Sequence, residues 1–197
     1  MNASYDLPLH GNRWKEGWQV VVVEQAQTGN PFNIITGLTT ITGTQSVRPD
    51  LIGQLPSINP HANNDVNGFP VSYQWFDGQT TVCDPRIVGS CTASSVFAYP
   101  YNAAGVAHFG NLGRNAIYGP GFGNTDLSFI KNVKLAGSAR AQLRLEIFNL
   151  FNQANFGQPG RIATPGSTSL GVISNTRFPT GDSGSARQIQ FAAKFLF

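Results

Sequence analysis

At 197 residues the chain is long enough for one domain or for a piece of a larger one, and its charged fraction of 12% is about half the roughly 25% of a soluble domain. Hydrophobic residues make up 41%, yet no run approaches the ~18 consecutive apolar residues of a helical membrane span. The net charge of +3 comes from 13 scattered Lys and Arg against 10 acids, which leaves no basic run to hold nucleic acid.

The opening residues, MNASYDLPLH, carry no basic n-region followed by an apolar core, so a secretory signal is not found there. A protein working outside the cytoplasm would then be expected to place this sequence in the C-terminal part of a longer precursor. Residues Tyr5 to Leu9 predict the end of a strand, and Gly11 to Gly17 (GNRWKEG) a turn. Trp18 to Gln27 (WQVVVVEQAQ) is a β-rich run, and the Thr/Ile/Gly-rich stretch Pro31 to Val47 predicts a further hairpin. From Arg48 to Gly123 the chain is dominated by Pro, Gly, Asn and Ser. A structureless loop of that length argues against a compact soluble domain and fits an excursion from a barrel.

Within that stretch, Cys83 and Cys91 enclose DPRIVGS. Their spacing suits a small disulfide-closed loop in an oxidising compartment; the alternative is two unrelated thiols. Two Cys and three dispersed His (His10, His61, His108) supply no zinc cluster, and no cofactor motif stands out.

Order returns at Thr125 to Leu135, where Leu127, Phe129, Val133 and Leu135 share a face interrupted by Lys131. A short turn, Ala136 to Ala139 (AGSA), leads into a segment with Ala141, Leu143, Leu145 and Ile147 on one face and Gln142, Arg144 and Glu146 on the other. Ala, Leu, Arg and Glu are good helix formers, so a helix over 139–151 competes. The strict alternation decides for a strand, and period 2 over about ten residues marks a transmembrane strand. A second long loop, 152–186, precedes the terminal RQIQFAAKFLF. There Ile189, Phe191, Ala193, Phe195 and Phe197 alternate with Gln188, Gln190 and Lys194, with Ala192 and Leu196 as exceptions.

Three motifs have simpler explanations than the chemistry they suggest. GDSGS (Gly181 to Ser185) is similar to the nucleophile loop of trypsin-like proteases, and His108 and Asp126 precede Ser183 in the triad's chain order. The residues around His108 do not fit that family, and too few residues follow Ser183, so a flexible turn is expected. GPGFGN (Gly119 to Asn124) precedes a strand rather than opening a helix, which removes a dinucleotide loop and leaves a backbone turn. Glu24, Glu146, Asp126 and Asp182 show no pairing that suggests glycosidase chemistry, and no catalytic residue is assigned. FNLFNQANFGQP (Phe148 to Pro159) is the most distinctive stretch: its Asn residues suit turns and its Phe residues an aromatic girdle.

Three blocks carry a family likeness: RNAIYGPGFGNTDLSFIKNVKL (Arg114–Leu135), RLEIFNLFNQANFGQPG (Arg144–Gly160) and the terminal RQIQFAAKFLF. Together with LPLHGNRWKEGWQVVVVEQAQTGNPFNI (Leu7–Ile34) and RPDLIG (Arg48–Gly53), they resemble the C-terminal end of Oar-like TonB-dependent outer-membrane proteins. The resemblance implies an all-β fold: C-terminal antiparallel strands of a transmembrane β-barrel, a partial barrel with long extracellular loops at 48–123 and 152–186. It implies transport or binding of a small ligand, not catalysis, in the outer membrane of a Gram-negative-type bacterium. The plug and TonB box of such proteins are expected upstream, so the TonB system is reached only through those parts. Outer-membrane lipid is the expected surroundings. The alternating tail with Phe191, Phe195 and Phe197 is similar to the signal read by the barrel-assembly machinery. Gln142, Arg144, Glu146, Gln188, Gln190 and Lys194 are expected to face the lumen. The competing architecture is a secreted β-sandwich adhesion or carbohydrate-binding module, with its apolar faces packed together.

Overall fold

A computed structural model describes residues 1–38, 47–66, 69–76, 81–177 and 186–197. In chain order the strands are β1 (Asn2–Asp6), β2 (Trp18–Gln27), β3 (Pro31–Phe32), β4 (Asp50–Leu51), β5 (Ile58–Val66), β6 (Phe69–Phe76) and β7 (Thr81–Cys83). They continue with β8 (Ser95–Ala98), β9 (Ile117–Tyr118), β10 (Phe122–Lys134), β11 (Arg140–Phe148), β12 (Val172–Ile173) and β13 (Gln188–Leu196). The chain divides into two compact units. One comprises Met1–Thr28, Gly121–Asn155 and Thr176–Phe197; the other comprises Gly29–Pro120 and Phe156–Asn175.

The first unit is one antiparallel sheet in the order β1-β2-β10-β11-β13. Alternating patterns lock its register, because a one-residue slip would move every side chain to the opposite face. Val20, Phe129, Leu145 and Phe191 stand side by side across four strands, as do Val22, Leu127, Ile147 and Ile189. On the reverse face Val21, Ser128, Glu146 and Gln190 align, and Asn132, Gln142 and Lys194 follow. With 13 residues in β10 and 9 in β11, these strands reach the ~9–11 residues that cross a bilayer at a tilt.

Among the described residues this unit holds a single sheet, which differs from the two facing sheets of a β-sandwich. Phe191 is 79% exposed and Phe195 58%, with Ile189 and Leu143 also open on the apolar face. In water such a surface would be an aggregation site; in lipid it is the ordinary state of a strand.

Both short turns lie where the sequence predicts them. At Ala136–Ala139 the Leu135 amide donates to the Ala139 carbonyl (2.9 Å), and Gly137 takes φ 63°. At Gly11–Gly17 the Asn12 side chain caps the turn by accepting from Trp14 and Lys15 amides at 3.1 Å. Three strand boundaries differ from expectation. The first strand ends at Asp6, not Leu9, because Pro8 has no amide to give the ladder. The third strand of the sheet begins at Phe122, taking in part of GPGFGN, and the segment expected over 139–151 stops at Phe148, where Asn149 turns to φ 49°.

The second unit corrects the expectation of a structureless loop over 48–123. Residues 29–120 and 156–175 carry the sheets β12-β6-β5 and β4-β8-β7 and the pair β3-β9, with β7 and β8 parallel. Phe32, Ile34, Phe97, Leu112 and Leu170 form the heart of its apolar core. Pro31–Phe32 pairs with Ile117–Tyr118 rather than with a neighbouring strand. Over 33–38 the hairpin expected there gives only the isolated bridge of Ile35 to Ile162, and residues 39–46 lie outside the described residues. Close backbone approach compacts this unit: a Cβ on Gly110 would lie 1.9 Å from the Arg48 carbonyl oxygen.

Candidate functional site

The polar face of the sheet is built by alternation alone. Even-numbered residues of β10, β11 and β13 share it with odd-numbered residues of β2, because the register pairs Ser128 with Val21 and with Glu146. Gln142, Arg144, Glu146, Gln188, Gln190 and Lys194 share one face of the sheet: Gln142 stands opposite Lys194, Glu146 opposite Gln190, Phe148 opposite Gln188, and Arg144 opposite Ala192. The Gln142 amide donates to Asn132 Oδ1 (2.8 Å), and Arg144 Nε donates to Gln142 Oε1 (2.8 Å). Asn132 thus belongs to this row although the sequence reading passed over it; its place opposite Gln142 is legible once the hairpin register is fixed.

Beyond the far end of β11 the Asn-rich motif forms a pinned corner. Asn155, 2% exposed, accepts from the Gly123 amide through Oδ1 (2.9 Å) and donates to the Gly123 carbonyl through Nδ2 (3.0 Å). It pairs with β10 as a strand residue would. Asn149 closes its own turn, donating to the Gln153 carbonyl (2.9 Å) and accepting from the Gln153 amide (3.0 Å). The Asn149 amide donates to Asp126 Oδ1 (2.9 Å), and the Arg187 amide to Asn152 Oδ1 (2.9 Å), so β10, β11 and the approach to β13 are tied together. Asn149 and Asn152 both adopt positive φ, which Asn tolerates better than other side chains.

At the turn end, Lys131 explains its place on the apolar face. Its side chain is buried, its ammonium donates to the Glu16 carbonyl, and it lies over the Trp18 ring at 5.3 Å. The buried charge is met by the Glu16 carbonyl and the face of the Trp18 ring rather than by water. Trp14 is exposed, and its carbonyl accepts from Trp18 Nε1 (3.0 Å). Tryptophan and lysine at a strand end are the furniture of a membrane interface.

In the second unit Cys83 and Cys91 are joined as a disulfide, with Cα atoms 5.0 Å apart. Inside the loop Arg86 grips Asp84 with two bonds, Nε to Oδ1 (2.9 Å) and Nη2 to Oδ2 (2.7 Å), and its guanidinium covers the Tyr101 ring at 4.0 Å. The Arg86 hydrogen bond holds the Asp84 carboxyl below the usual carboxylate range, and burial pushes the Tyr99 hydroxyl up. This pair was missed in the sequence; an Asp and Arg two apart inside a short Cys-bounded loop is the available signal.

His108 Nε2 is 2.7 Å from Asp50 Oδ2, and Asp50 Oδ1 accepts from the Asn111 amide (2.9 Å). The carboxylate beside His108 is therefore Asp50, not the Asp126 of the triad order, and Ser183 lies outside the described residues. No group of three or more His, Cys, Asp or Glu able to hold a metal occurs among the described residues.

The model of one protein family, the outer membrane beta barrel domain, matches residues 1–190. The chain belongs to that family. No curated protein and no solved structure matches it. Membership explains the uncovered apolar face: an outer-membrane β-barrel meets lipid outside and solvates its interior, and the protein is placed in the outer membrane of a Gram-negative bacterium. Within this barrel chain Phe191 and Phe195 stand on the same face as Leu143 and Leu145, and Phe197 directly follows β13. Phe156, part of the expected girdle motif, instead stacks on Tyr73 in the second unit at 4.6 Å.

Proposed function

We propose that this outer-membrane chain forms part of the wall of an Oar-like, TonB-dependent receptor or transporter that takes up or binds a small ligand, without catalysis. The observation that carries this reading is the row Asn132–Gln142–Arg144, aligned with Glu146, Gln190 and Lys194 on the face opposite the lipid-type surface. Amides and charges of both signs along one face suit a hydrated passage rather than a packed interior. The turns at Gly11–Gly17 and Ala136–Ala139 would then be periplasmic, and the long connections would run outside and help to capture ligand. The sheet edges β1 and β13 would pair with further strands, since lipid cannot satisfy their backbone groups. The barrel-assembly machinery would recognise this open, alternating edge by strand addition.

Fractionation of cells making the full-length protein, followed by electrophoresis with and without heating, tests the reading. It expects an outer-membrane product whose mobility changes on heating, and TonB-dependent uptake that falls when Arg144 and Glu146 are replaced by Ala. Uptake that ignores both TonB and these residues would leave a barrel but remove the transporter.

A further inference from the structure

Lys134 and Arg140 stand directly opposite one another where β10 and β11 approach the Ala136–Ala139 turn. Like charges facing across a ladder destabilise it, so the fold gains nothing from this pair. Both line a cleft of about 390 Å³, within the size range of small-molecule sites, and Arg13, Asn132, Gln142 and Leu196 line it with them. By register Asn132, Lys134, Arg140, Gln142 and Leu196 all belong to the polar face. Arg13, Lys134 and Arg140 make no side-chain hydrogen bond, ion pair or ring contact among the described residues. The acid of the lining, Glu16, accepts from the Gly11 amide through Oε1 (3.0 Å) and pairs with none of them. Positive charge continues along the same face with Lys194, opposite Gln142, and then with Arg144. On β10, β11 and β13 no carboxylate shares these three steps. Glu146 stands at the fourth with Asp126 beyond it, and Asp6 lies on β1, three strands from Arg144.

We propose that this cleft binds the oxyanion group, a phosphate or a carboxylate, of the small ligand taken up along this wall, and so selects for anions. The proposal rests on the passage reading above, in which the polar face meets water. Three cations gathered without counter-charges repel one another, and a bound anion replaces that repulsion by attraction. Arg13 and Arg140 carry forked donors that match two oxygens of a phosphate or carboxylate, and Lys134 adds a point charge. Asn132, whose Oδ1 is taken up by the Gln142 amide (2.8 Å), adds a neutral N–H donor to the lining.

The test uses the full-length protein, purified in a neutral detergent, with Leu196→Cys, which puts a thiol in the lining and leaves every cation in place. A water-soluble maleimide is added with or without pyrophosphate or citrate at matched ionic strength. Labelling is read by mass spectrometry on the peptide that carries position 196, so thiols elsewhere in the chain do not enter. The site predicts labelling that an oxyanion slows several-fold; the better protector, pyrophosphate or citrate, assigns the group as phosphate or carboxylate. The slowing disappears in K134Q/R140Q and is kept in K15Q, which removes a charge outside the lining. Labelling indifferent to both anions overturns the site and leaves the hydrated passage standing. Slowing lost equally in K15Q reduces the effect to bulk charge and also overturns the site. Absence of labelling closes this face to water, which is failure of the passage reading and of the site with it. Equilibrium dialysis of radiolabelled pyrophosphate against the parent protein and K134Q/R140Q makes the same comparison without the cysteine. A several-fold loss of binding in the variant supports the cleft, and equal binding overturns it.

Discussion

Asn155 bonds Gly123 with both ends of its amide, so its removal strands a buried donor and a buried acceptor together. Asn155→Ala should therefore cost about 2 kcal/mol, lowering the temperature at which the folded band is lost on heating. Nothing in the sequence around Asn155 announces this partnership, because the two residues are 32 apart and a side chain imitating a strand leaves no periodic trace. Asp84 gives a second residue-level expectation. Its pKa is depressed in the folded loop by the Arg86 hydrogen bond. The resulting stability is fully present above the unfolded value of about 3.9 and is lost as pH falls through the folded value. The protection of the Arg86 amide relative to its intrinsic exchange rate, the N–H donating to Asp84 Oδ1 (3.0 Å), should thus stay high at neutral pH and fall only below about pH 4. Protection that is already low at neutral pH would show that the pair does not hold the loop.

The strands themselves were the most legible part of the molecule. Period 2 in β11 and β13 comes from the pleat, and a face that must meet lipid restricts every second residue, so Leu143, Leu145, Phe191 and Phe195 wrote the pattern plainly. The second unit was not legible as a compact body. Its core residues, such as Ile34, Phe97 and Leu170, come from short strands and bridges with no shared period. A Pro- and Gly-rich composition therefore hid a packed interior behind the look of a loop. Alternation also makes a sharp expectation for substitutions within one strand. Leu145→Lys puts a charge on the lipid face near the middle of β11 and should destabilise assembly by about 2–4 kcal/mol, whereas Glu146→Lys on the opposite face should assemble normally. Outer-membrane yield of the two variants, side by side, measures the difference; equal yields would contradict the assignment of faces.

At the scale of the whole molecule, a sheet with one apolar face open and one polar face carrying the bonded row Asn132–Gln142–Arg144 is incompatible with water on both sides and fitted to a barrel wall. Family membership and strand geometry reach that conclusion from different directions: one from sequence similarity, the other from register and exposure. The transporter reading depends on it. A cysteine scan of β11 in cells tests it most directly, since the described residues hold no free thiol and Cys83 and Cys91 are bridged. Single cysteines at Gln142, Leu143, Arg144, Leu145, Glu146 and Ile147 are treated with a water-soluble, membrane-impermeant maleimide after the outer membrane is isolated. The barrel wall predicts labelling at the even positions and protection at the odd ones. Uniform labelling along the strand, or labelling of the odd set, would contradict it.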